Sequence, residues 1–337
     1  MRKPRHPLIE DILLTSKSSF FHIFCHLLIV GTITTGLFGC ATKGPQDSTF
    51  KEYRKMLEQQ KQKQQFLAEQ REETAKKIPD MTADGYERSG DQYLSQNNLD
   101  MAFMQYSRAF GLEPGQPRLR YKIGRLFLEK GMVDEAKKEF EETLNSDPNY
   151  ALAYEGLGRA CFMKKEFDEA EKKFQQAIRL DAELWQAHNF LGIIYDRQGK
   201  YQGAITQYSA AIALQPNVGL LYNNLGVSLF LNGNYERSAK AFAEALKVDP
   251  SQKKIYNNMA LVLYKLGKLS EALDAFTKGG DEASAQNNMG CLYLKEGKYQ
   301  DAVVAFEKAI QIKPEYYVDA HENLKKTKAG LGSPVQR

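Results

Sequence analysis

Apolar residues recur along most of this chain three and four positions apart, and the whole pattern returns every 34 residues. Small residues mark the period. Gly90, Gly124, Gly158, Gly192, Gly226 and Ala260 stand 34 apart, and Gly290 follows after 30. Twelve positions beyond each comes Ala102, Ala136, Ala170, Ala204, Ser238, Ala272 or Ala302. Sixteen beyond comes an aromatic: Tyr106, Phe140, Phe174, Tyr208, Phe242, Phe276 or Phe306. The last two lie four apart and therefore on one helix face. Gly131, Gly199, Gly233, Gly267 and Gly297, with Asn97 in the first unit, predict a left-handed end to a first helix. Pro114, Pro148, Pro216, Pro250 and Pro314 close a second helix. The pattern predicts two-helix units that cannot bury their apolar faces alone and must stack on copies of themselves.

These landmarks resemble the tetratricopeptide repeat (TPR) family over seven units: 83–116, 117–150, 151–184, 185–218, 219–252, 253–282 and 283–316. The resemblance implies an all-α, right-handed superhelical solenoid that holds other polypeptides in a concave groove. The family's first aromatic survives as Tyr86, Tyr154, Tyr222 and Tyr256, with His188 in unit four, and Ala182 replaces a proline. In the sixth unit Thr277-Lys278-Gly279-Gly280-Asp281 replaces the usual end of the second helix. Losing about one helical turn keeps the apolar faces nearly in phase, so the shortening is either tolerated loop variation or a bend in the groove wall. Residues 81–316 are thus the repeats, and 317–337 a polar capping helix, Tyr317 to Ala329, with its tail.

The start of the chain carries an address. Arg2, Lys3, Arg5 and Lys17 precede an apolar run from Phe20 to Gly39, and Cys40 follows. That order reads as an export signal. Leu37-Phe38-Gly39-Cys40 resembles the bacterial lipoprotein processing box, which implies lipidation at Cys40 and a removed leader, 1–39. The other reading is an uncleaved spanning helix, since about 20 apolar residues suffice. Either places the repeats outside the cytoplasmic membrane. Ala41 after the cysteine, by the same resemblance, favours the periplasmic face of an outer membrane. Residues 40–80 form a Gln-, Lys- and Glu-rich spacer, read as a solvated helix too poor in apolar positions for a coiled-coil seam.

Charge and composition narrow the function. The net charge is +4, and removal of residues 1–39, with Arg2, Lys3, Arg5 and Lys17 against Glu10 and Asp11, leaves +2, which argues against nucleic acid as a partner. Outside the leader, His188 and His321 are the remaining histidines, and no metal-ligand spacing or phosphate-cradling loop is present. No catalytic residue, metal or cofactor is expected. Cys161 and Cys291 lie too many repeats apart to pair, and Cys161 falls at a core position.

The groove carries the candidate binding residues. Asn223-Asn224, Asn257-Asn258 and Asn287-Asn288 recur at matching places on first helices, and Asn189 and Asn323 extend the row. In the TPR family these positions face the ligand. An amide both donates and accepts, so such a row suits either an extended peptide backbone or bridges between repeats. Val227, Phe230, Leu261, Tyr264 and Lys265 complete the expected peptide-binding set in units four to seven, and Leu231, Lys254 and Lys295 lie beside it. Units one to three instead present Asp84, Glu87, Asp91, Arg118, Arg125 and Arg159. The expected activity is an envelope-anchored, non-enzymatic scaffold for protein or peptide partners, of the kind found among type IV pilus biogenesis TPR lipoproteins. The alternatives are an adaptor for cell-wall hydrolases and a self-associating structural lipoprotein.

Overall fold

The computed structural model describes residues 81–314 and 318–331, which form fifteen helices in sequence. The readings of residues 1–80 (leader, Cys40, spacer) lie outside the described residues. Units one to three comprise α1 (Ala83–Ser95) with α2 (Leu99–Leu112), α3 (Pro117–Glu129) with α4 (Val133–Ser146), and α5 (Ala151–Met163) with α6 (Phe167–Leu180). Units four and five comprise α7 (Trp185–Arg197) with α8 (Tyr201–Leu214) and α9 (Gly219–Leu231) with α10 (Tyr235–Val248). Then follow α11 (Lys253–Lys265) with α12 (Leu269–Gly279), α13 (Glu282–Lys295) with α14 (Tyr299–Ile312), and a last helix, α15 (Val318–Leu331). Each helix packs on its partner within the unit and on the next unit, giving the right-handed superhelical TPR solenoid.

Helix ends follow the local sequence. Thr82 Oγ1 caps α1 by accepting from the Gly85 amide, and Pro117 opens α3, where a missing N–H costs nothing. First helices end with a residue at positive φ, as at Gly131, +74°. There the Gly131 amide reaches Leu128 O and the Met132 amide reaches Phe127 O, which satisfies carbonyls the helix would leave open. Lys165 takes this place in unit three at φ 63° despite its side chain. α12 is shorter than its counterparts, and α13 starts at once on a capping box between Asp281 and Ser284.

The core is the row of aromatics. Tyr106, Phe140, Phe174, Tyr208, Phe242 and Phe306 are almost wholly buried. Each ring lies on the small residue of its own unit: a Cβ on Gly192 would come within 2.7 Å of the Tyr208 ring. Phe140 is wedged further, between Gly124 of its own unit and Gly156 of the next. Ala260 is fully buried at the equivalent place in unit six. Ser238, in the alanine column, is also fully buried and donates to Gly226 O at 2.6 Å. α15 closes the stack, burying Ala320 and Thr327 and exposing His321, Glu322, Lys325 and Lys326 at least in part.

Candidate protein-binding face

First helices of successive units bond directly to one another, and this contact defines the inner wall. Arg118 in α3 reaches Asp84 and Glu87 in α1, Asn224 in α9 reaches Asn189 in α7, and Asn323 in α15 reaches Asn287 in α13. The odd-numbered helices therefore line the concave side.

Most charge in units one and two is matched internally. Arg118 meets Glu87 at 2.7 Å and Asp84 at 2.9 Å, and Lys122 meets Glu87 at 2.7 Å and Asp91 at 2.6 Å. Asp91 also accepts from the Tyr106 hydroxyl at 2.7 Å, which ties the wall to the core. Arg125 differs, since it lies over the Tyr121 ring at 5.9 Å and meets no carboxylate among the described residues. Arg159 reaches Glu129 through Nη2 at 3.3 Å, while its Nε is buried with no acceptor. Glu155 is buried nearby, and burial pushes its carboxyl above the usual range against the opposing pull of Arg159 and Arg125.

The asparagine row is engaged mostly with itself. Asn224 Nδ2 donates to Asn189 Oδ1 at 3.1 Å, Asn258 Nδ2 to Asn223 Oδ1 at 3.0 Å, and Asn323 Nδ2 to Asn287 Oδ1 at 3.1 Å. Asn223 Nδ2 also points at Asn224 Oδ1, at 3.4 Å. Asn189, Asn223, Asn224, Asn258 and Asn287 are all buried. Of the two roles the sequence left open, these five take the bridge between repeats. The rung that should join Asn257 to Asn288 is missing among the described residues. Asn257 Oδ1 is buried without a partner and lies against Gly279, at the shortened end of α12. Four missing residues thus displace one rung while the others hold.

The apolar candidates also lie deeper than expected. Val227, Phe230, Leu261 and Tyr264 are all below 9% exposed and belong to one core cluster with Phe242, Ile255 and Phe276. Lys265 pairs with Glu296 at 2.9 Å. The sequence pattern predicts these five as presented surface. They belong instead to a cluster that continues into the next repeat, a contact that a pattern within one repeat does not display.

Two carboxylates with displaced titration were not anticipated. Asp196 accepts from Tyr208 at 2.9 Å and from Ser228 at 2.7 Å, which links units four and five. Burial raises its carboxyl to about 7, outweighing both hydroxyls. The available signal was an aspartate in a column otherwise filled by Leu94, Leu128, Phe162, Phe230, Tyr264 and Leu294. Glu296 goes the other way: desolvation pushes it up, but Lys265, Lys298 and Tyr264 together bring it to about 2. Desolvation alone pulls Lys254 down to about 8. His188 packs as its repeat position requires, with Nδ1 2.7 Å from Gln207. Cys161 is a buried thiol.

A stack of two-helix units that lines its concave wall with first helices defines the class: a TPR protein, an architecture built for protein–protein interaction. The chain belongs to the family described as the cilia and flagella-associated protein 70 C-terminal domain, whose model matches residues 48–288, and the tetratricopeptide repeat model matches 283–316. Among solved structures it is similar to the APC/C hetero-tetramer Cut9–Hcn1, with TM-score 0.51 and 20% identity, over 72% of this chain and 49% of that one. It thus spans about half the length of that relative. Pseudomonas aeruginosa pilF gives TM-score 0.48 and 20% identity over 64% of this chain and 97% of that one. A thermophilic TPR protein of Thermus thermophilus gives 0.46 and 21% over 54% and 100%. At 20% identity the likeness to Cut9–Hcn1 concerns the fold alone. No curated protein matches the sequence.

Proposed function

We propose that this protein is a non-enzymatic, envelope-anchored scaffold that binds a segment of a partner protein along its inner wall and helps assemble a pilus or secretion complex. One observation carries the binding site. Asn257 and Asn288 sit on adjacent inner-wall helices, and no side-chain hydrogen bond joins them, whereas their counterparts in the row pair with each other. A polypeptide backbone offers the donor and acceptor that the part-exposed Asn288 amide matches. The anchor in this reading is the lipid on Cys40, and neither cofactor nor nucleic acid takes part. Recruitment of cell-wall hydrolases would use the same wall. Self-association would make a second copy the occupant.

A photo-crosslinking residue at Asn288, compared with one at exposed Lys240 on α10, tests the wall in the native envelope. The expected result is a specific adduct with a different protein from position 288 and none from 240. Adducts from 240 alone would refute the wall as the site, and adducts only with the chain itself would favour self-association. Mass spectrometry of the mature N-terminus checks the anchor. An acylated Cys40 is expected, and an intact leader ahead of an unmodified Cys40 would remove it.

A further inference from the structure

From Tyr201 to Tyr235 the chain carries no Asp, Glu, Lys, Arg or His, although 26% of its residues are charged. That run contains the whole of α8 and α9, so both helices at the junction of units four and five are uncharged. One carboxyl from α7 is turned into it: the half-buried Asp196. Its partners are almost wholly buried, Tyr208 from α8 at 2.9 Å and Ser228 from α9 at 2.7 Å. Charged residues near this end of α7 are engaged elsewhere. Arg197 lies over the Phe167 ring at 4.3 Å, Lys200 over the Tyr195 ring at 5.4 Å, and Glu171 of α6 accepts from Gln198 at 2.8 Å. The titration of Asp196 answers to burial and to the two hydroxyls, and no cation acts on it among the described residues. A carboxylate placed there has hydrogen bonds and no counter-ion, which is costly.

Ser228 has one proton and two acceptors within reach. Its Oγ lies 2.7 Å from Asp196 and 3.2 Å from Asn224 O, one turn back on α9. When Asp196 is ionised, Ser228 and Tyr208 both donate to it, and the charge stays unmatched. When a proton from solvent adds to Asp196 Oδ1, that oxygen donates to Ser228 Oγ and the serine proton turns to Asn224 O. Every group is then satisfied without a charge. The Asn224 side chain meanwhile donates to Asn189 on α7 at 3.1 Å. Two ties thus join α7 to α9 one turn apart, and the proton on Asp196 sets the state of one of them. We propose that units four and five meet in a proton-operated joint, closed when Asp196 is protonated and loosened when it is ionised. With the carboxyl held near 7, the joint responds around neutrality. The joint stands on this geometry; its effect on a bound partner rests on the inner wall being the binding face.

Hydrogen–deuterium exchange of the full-length chain at pH 5, 6, 7 and 8, corrected for the intrinsic pH dependence of amide exchange, tests the joint. Opening it exposes Asp196 to water, where it titrates as an ordinary aspartate. Protection of amides in 201–235 should therefore fall about tenfold per pH unit between 5 and 7 and level off above about 7. Amides of α3 and α4 should keep their protection throughout. Asp196→Asn should remove the pH dependence from 201–235, and the comparison between segments of the wild-type chain stands by itself if that variant does not fold. Protection of 201–235 that is flat with pH would overturn the joint, as would a fall shared equally by α3 and α4 or one that survives Asp196→Asn. A flat profile beside partner adducts from position 288 would sink the joint and leave the wall reading intact.

Discussion

Asp196 makes the stability of this array depend on pH in a direction opposite to most carboxylates. An ordinary aspartate titrates near 3.8, and burial holds this one near 7. Between those values the folded chain keeps a proton that the unfolded chain has lost. Stability from this group is therefore fully present below about pH 4 and falls as pH rises, by about 1.4 kcal/mol per unit. Across the window of roughly three units the loss sums to about 4 kcal/mol, a large share of the roughly 5–15 kcal/mol typical of a folded domain. Asp196→Asn removes the titration and keeps a polar group facing Tyr208 and Ser228. Urea denaturation of both chains at pH 4.5, 6 and 8 isolates the effect, because other carboxylates contribute equally to each. The wild type should lose stability relative to the variant as pH rises, with the gap opening by a few kcal/mol. Parallel pH profiles would show that Asp196 is ionised in the fold at little cost, and the reasoning from its burial would fail.

Other perturbations probe separate links. Gly192→Ala places a methyl group within 2.7 Å of the buried Tyr208 ring and should cost about 1–3 kcal/mol by overpacking, partly offset by better helix propensity of about 1 kcal/mol; thermal melts read the net loss. Asn224→Ala deprives buried Asn189 Oδ1 of its donor and should cost about 1–3 kcal/mol, whereas Asn288→Ala should leave the melting temperature nearly unchanged. Lys165→Gly relieves a left-handed residue and should stabilise by about 1 kcal/mol, measured by the same melts, while Gly233→Ala, at φ +80°, should do the reverse.

The fold was legible because its determinants repeat. A glycine that faces an aromatic sixteen positions on, or that ends a helix at positive φ, satisfies a requirement internal to one unit, and 34-residue spacing multiplies the signal. The groove was less legible because its residues answer to neighbouring units. Asn224 and Asn288 occupy the same repeat position and look alike in sequence. One finds Asn189 across the interface, and the other loses its counterpart because α12 ends early. Phe230 and Leu261 sit at positions that the family exposes, yet here they are absorbed into a cluster that spans three units. Arg118 and Arg125 both read as groove charge, and the carboxylates of α1 set the matched Arg118 apart from Arg125, which lies over the Tyr121 ring.

The ties along the inner wall have nearly uniform reach. Arg118 to Asp84 spans 34 residues, Asn224 to Asn189 spans 35, and Asn323 to Asn287 spans 36. No such tie waits for a distant stretch of chain, and low contact order of this kind favours quick, stepwise assembly. A polypeptide that emerges end-first during its synthesis locks each brick as soon as the following one appears, exposing little sticky surface on the way.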